Sequence, residues 1–189
     1  MIALMLHFPN DSVITPNLGL HLSATLVMLL TIKRFDGDIT KTLGWYWVKP
    51  QWLFLAVFIG MAFWLFDHWL LYYQFSSDSY EDIKNWQLAN AEYHFLGLLI
   101  GSVFMAPIFE ELFFRGLIFR GLVHKYHFII AALTSALLFA LIHWSWPEFI
   151  SLFTVGVIYA LMAYKSHSIF PSLIAHVTHN LLTYIYYTS

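Results

Sequence analysis

The chain has 189 residues, of which 60% are hydrophobic, 20% aromatic and 11% charged. A soluble domain is nearer about 25% charged, so hydrophobic runs are read as membrane spans. A formal net charge of −2 offers no basic patch for nucleic acid, and the absence of cysteine removes disulfides, thiolate metal ligands and a cysteine nucleophile.

Residues 1–8 are apolar but too short for a signal peptide and lack a basic leader, so the spans themselves are expected to direct insertion. After a turn region at 9–16, residues 18–32 form a first, short span closed by Lys33 and Arg34. The next loop carries Lys41, Lys49, an Asp36-Gly37 turn and Trp45-Tyr46-Trp47, which suits an aromatic belt at a membrane surface. Residues 52–75 read as a second span, with Asp67 and His68 adjacent near its far end as an interfacial pair. From 76 to 92 the chain turns polar and acidic, as a helix lying on the membrane surface would, or a mobile gate over a buried site.

A third span, 96–119, holds Pro107, whose ring kinks a helix and whose missing N–H frees a backbone carbonyl. It also holds Glu110, Glu111 and Arg115. Each charge near the centre of a span costs about 2.5–3.5 kcal/mol on insertion scales. Arg115 lies four residues after Glu111 and can pair with it on one face. Glu110 points about 100° away, so it requires a polar cavity or a partner from another span.

A fourth span covers 128–146 and ends at Pro147, a fifth 149–164 and a sixth 169–187. Short links force neighbouring spans to run antiparallel. The expected fold is an all-α polytopic membrane bundle of about six transmembrane helices. It forms one integral membrane domain over 1–189, with its motif-bearing core at about 95–187. Lys33, Arg34, Lys41, Lys49, Arg115, Arg120, Lys125 and Lys165 fall on one face and Lys84 alone on the other, which places the first face in the cytoplasm and both termini outside a cell membrane.

The fourth span places His143 near its outer end, one turn after Phe139, where a lone histidine beside tryptophans reads as an interfacial anchor. In the sixth, His176 and Asn180 share a helix face and His179 is turned away from Asn180. Singly these are anchors or interhelical hydrogen-bond glue. Together they are the inventory for attack of water on a carbonyl. Glu110 would be the general base, His143 would hold the same water, and His176 and Asn180 would offer donors to the developing oxyanion. Counting along the helices leaves His143 further out than Glu110, so tilt or the Pro107 kink must bring it inward.

Glu110-Glu111 with Arg115, Phe139 with His143, and His176 with Asn180 resemble, in order and spacing, the three motifs of the CPBP family. This family comprises the CAAX-prenyl-endopeptidase-type and bacteriocin-processing membrane proteases, also called the abortive-infection family. The resemblance covers about 101–182. It implies an intramembrane glutamic endopeptidase without a required metal, acting on a peptide or protein substrate that is prenylated or carries a leader peptide. Glu110 and His143 would activate water and His176 and Asn180 would form the oxyanion site, with Glu111, Arg115 and Phe139 in support. Better-known members have about eight spans, against six here. Two further readings use the same residues. One is a zinc metalloprotease with Glu110, His143, His176 and His179 as ligands, although no His-Glu-x-x-His motif is present. The other is a non-catalytic bacteriocin immunity or interaction protein with the polar cluster as glue.

Overall fold

The computed structural model describes residues 38–74, 99–143 and 148–188, together with Leu29 and Lys33. The segment 76–92, residues 144–147 and, apart from Leu29, the first expected span lie outside the described residues.

Every regular element among the described residues is helical. A short helix α1 (Ile39–Leu43) starts at Asp38, whose carboxylate accepts from the Lys41 N–H at 3.1 Å, and ends at Gly44 in the left-handed region, φ 71°. Helix α2 (Pro50–Gln74) follows. The third expected span is a single continuous helix in four parts: π1 (Leu99–Met105), α3 (Ala106–Glu110), π2 (Glu111–Phe119) and α4 (Arg120–Val123). Then come α5 (Phe128–Ile142), α6 (Phe149–Ser166) and α7 (Phe170–Thr188). Helix α5 is shorter than the expected fourth span: it closes at His143, whose N–H bonds the Ala140 carbonyl.

Small residues line the closest helix contacts, aromatic rings such as Phe114, Phe139 and Tyr159 fill the core, and other large apolar side chains face outward. Helix α5 lies along α6 through Ala131, Ala132, Ala136 and Ala140 on one side and Gly156, Ala160 and Ala163 on the other. A Cβ on Gly156 would stand 2.9 Å from the Ala136 Cβ, so the backbones meet at a distance only glycine permits. Helix α7 lies along α2, where a Cβ on Gly60 would meet the Ala175 carbonyl oxygen at 2.5 Å. Phe54, Phe58, Leu65 and Trp69 on α2, and Ile130 and Leu141 on α5, point outward.

Helices Pro50–Leu70 (21 residues) and Phe149–Ser166 (18 residues) are long and apolar enough to cross a membrane. Helix α7 has 19 residues but carries the polar site, and α5 has 15. At the end of the bundle opposite the site, Trp45 and Trp47 lie on Phe170 with ring centroids 4.7 Å apart in both pairs, and the Ile169 N–H bonds the Gly44 carbonyl at 3.0 Å. The expected aromatic belt therefore also seals the start of α7.

Candidate active site

Three elements bring the site together: the α3–π2 junction, the end of α5 and the middle of α7. Glu111 is the first residue of π2 and is fully buried. Its Oε1 lies 2.9 Å from Arg115 Nη1, the pairing expected from their spacing, and 3.1 Å from His176 Nδ1. Arg115 is also fully buried; its Nη2 donates to the Gly156 carbonyl at 3.3 Å. Its guanidinium carbon stands 4.5 Å from the centre of the Phe139 ring and 5.3 Å from that of Tyr159. Two aromatic faces thus help to hold a cation that few N–H acceptors reach.

Glu110 closes α3, one residue before π2, and its partner does come from another helix. Its Oε2 faces His176 Nε2 across 3.6 Å, and its side chain keeps 15% of its surface exposed. The His176 imidazole therefore spans the adjacent carboxylates, Nδ1 toward Glu111 and Nε2 toward Glu110. The first contact is a hydrogen bond. The second is too long to be one, and it is the kind of gap a bridging water or substrate atom fills.

His143 sits at the C-cap of α5. Its Nδ1 is 2.7 Å from the Phe139 carbonyl, which can only accept, so Nδ1 carries the hydrogen and Nε2 is left as the acceptor of the neutral ring. The ring lies against Phe139, centroids 4.6 Å apart, and the same phenyl ring meets His176 edge-on at 6.1 Å. Phe139 is thus the common neighbour of His143, His176 and Arg115. The phenyl ring in turn packs on Phe114, and Ser135 Oγ donates to the Phe114 carbonyl at 2.9 Å.

Asn180, one turn beyond His176, uses its amide nitrogen to donate to the Ser102 carbonyl in π1 at 2.8 Å. His179 faces the other way: Nε2 is 3.4 Å from Asp67 Oδ2 on α2, with the Ser151 hydroxyl also on that carboxylate. Asp67 is therefore turned into the bundle, whereas the sequence alone places it at an interface with His68. The His68 ring packs instead between Trp64 and Tyr186, at 4.8 and 4.3 Å. A carboxylate and an imidazole, each set in an apolar helix, are the signal that could have joined Asp67 to His179. Among the described residues no three of His, Asp and Glu form a group able to hold a metal ion, and His179 stands with Asp67, apart from the other three candidate zinc ligands.

Residues 92–182 match a family model described as type II CAAX prenyl endopeptidase Rce1-like, consistent with the CPBP family. Over that segment, just under half of the chain, the sequence is similar to this family. The matched stretch contains Glu110, Glu111, Arg115, Phe139, His143, His176 and Asn180. The family is membrane-integral and implies a protease of the CAAX type. No curated protein and no solved structure matches the chain.

Proposed function

We propose that this chain is an intramembrane endopeptidase of the glutamic type, in which Glu110 and His143 activate one water molecule. The observation that carries the reading is the unequal treatment of two neighbouring carboxylates. Glu111 is held by Arg115 at 2.9 Å and His176 at 3.1 Å, whereas among the described residues Glu110 has one longer ionic contact, of 3.6 Å, and partial exposure. One carboxylate is occupied with structure and the other is open to a ligand.

In the proposed reaction Glu110 takes a proton from water while the His143 Nε2 accepts the second O–H, and the oxygen attacks the scissile carbonyl carbon. The carbonyl π electrons move onto oxygen, which receives an N–H from Asn180 and, from His176 as an imidazolium whose Nδ1–H is given to Glu111, the Nε2–H. When the intermediate collapses, the carbon–nitrogen bond breaks and Glu110 returns its proton to the leaving nitrogen. Glu111, Arg115 and Phe139 hold the two imidazoles and take no part in proton transfer. No metal is required by this scheme. The substrate is a membrane-associated peptide segment, prenylated or carrying a leader, and the chain crosses the cell membrane as about six helices with both termini outside.

Purified Glu110→Gln protein, incubated with a prenylated CAAX peptide and with a hydrophobic leader peptide, should cleave neither substrate that the parent cleaves, with an unchanged melting temperature. Cleavage at the parent rate by that variant refutes the reading. Loss of parent activity on treatment with a chelator, restored by stoichiometric zinc, refutes the metal-independent scheme.

A further inference from the structure

In a π-helix each N–H bonds the carbonyl five residues back. In π1 the next bond of that register would run from residue 107 to Ser102, but residue 107 is proline and has no N–H. The π register ends there, and α3 starts with Pro107 in its first turn. The Ser102 carbonyl thereby loses the donor of that register inside an apolar bundle, where an under-satisfied acceptor is costly. Asn180 supplies the missing donor from a different helix, at 2.8 Å.

We propose that Pro107 and Asn180 act as one device: the proline breaks the π register of the continuous helix and the asparagine straps that break to α7, which fixes Glu110 and Glu111 against His176. Three features converge on this. The bond joins α7 to the π segment directly before the break. Glu110 lies three residues after Pro107 and His176 one turn before Asn180, so the strap and the carboxylate–imidazole contacts tie the same two helices on either side of the proline. The amide also has a second N–H, so the strap leaves Asn180 a donor for substrate. Asn180 and Pro107 are in this sense positioning residues whose effect reaches the reaction through Glu110. That effect rests on the protease reading above, whereas the strap itself does not.

The test is a double-variant cycle of Pro107→Ala and Asn180→Ala, read by melting temperature in detergent and by kcat and KM. Alanine in place of Pro107 restores an N–H, and Ser102 then gains a backbone donor whether the turn stays in the π register or closes to α. In the parent background Asn180→Ala should lower the melting temperature by roughly 2–10 °C. In the Pro107→Ala background the same change should cost less than half as much. If Asn180→Ala does not accumulate on its own, its recovery by Pro107→Ala gives the same answer, and failure in both backgrounds overturns the proposal. Asn180→Leu, which keeps the size and removes both donors, should behave as Asn180→Ala does.

Pro107→Ala alone should retain or raise the melting temperature yet lower kcat by about 10–100-fold with little change in KM, because the carboxylates lose their register. A purely structural proline would not divide the two readouts in this way, and an unchanged kcat overturns the positioning role. Equal thermal losses from Asn180→Ala in both backgrounds overturn the strap. Thermal coupling in a chain that cleaves nothing sustains the strap and removes the protease.

Discussion

Replacing Arg115 by methionine removes one of the two fully buried charges among the described residues. Arg115 and Glu111 are both fully buried and 2.9 Å apart, so removal of the cation leaves a carboxylate with His176 and the Ser172 hydroxyl as close partners and no full positive charge fixed beside it. Breaking one side of a buried pair typically costs about 3–5 kcal/mol, because the remaining charge is stranded rather than because the pair itself was worth that much. The lost stacking on Phe139 and Tyr159, at 4.5 and 5.3 Å, places the expected value toward the upper end. Converting both residues, Arg115→Met with Glu111→Gln, removes the stranded charge as well as the cation. It should therefore restore more than half of the stability lost in the single variant. Unfolding by denaturant in a fixed detergent, followed by tryptophan fluorescence, measures all three proteins on one scale. A single variant as stable as the parent, or a double variant no better than the single, refutes the account of this pair as mutual neutralisation of buried charge.

Gly156→Ala should destabilise by about 1–3 kcal/mol in the same assay, since the new methyl would stand 2.9 Å from the Ala136 Cβ in a backbone contact with no slack. Gly60→Val should cost more than Gly60→Ala, because the added Cβ already meets the Ala175 carbonyl oxygen at 2.5 Å and branching adds to the clash; equal losses would place the obstruction elsewhere. Asp67→Ala and His179→Ala should each lower the melting temperature, and the double variant should lose less than the two losses combined, because the pair meets at 3.4 Å; strict additivity would show that the two do not interact. Phe139→Leu should reduce cleavage more than it reduces stability, since that ring supports His143, His176 and Arg115 together, and equal losses would assign it to packing alone.

The part of this architecture legible in the sequence is the part that depends on helical spacing alone. The Glu111–Arg115 pair, the demand of Glu110 for a partner on another helix, and the common face of His176 and Asn180 all follow from residue offsets and the cost of charge in an apolar run. What did not follow depends on register and on tertiary approach. The proline signals a freed carbonyl, but whether that is Val103 or Ser102 turns on α against π bonding, which apolar composition does not encode. The inward turn of His143 was likewise out of reach. It comes from an early close of α5 at His143 and a hydrogen bond to its own Phe139 carbonyl, both set by packing on Phe114 and His176.

The same geometry bears on whether the polar cluster merely glues helices together, as a non-catalytic immunity or interaction protein would require. Glue is selected for mutual satisfaction, because each unmet polar group in an apolar bundle weakens the association it is meant to strengthen. The Glu111 Oε1 and the Asn180 amide nitrogen fit that description, each within 3.1 Å of a protein partner on another helix. Glu110 does not: it carries a full carboxylate into the same layer, yet stands 3.6 Å from the His176 Nε2. A glutamine there would bind a neighbouring helix without the burden of a charge, and Arg115 is already taken by Glu111. The charge at position 110 therefore weakens the bundle as glue. It gains a purpose once a water molecule enters between Glu110 and the imidazoles around Phe139, where a carboxylate can accept a proton and an amide cannot.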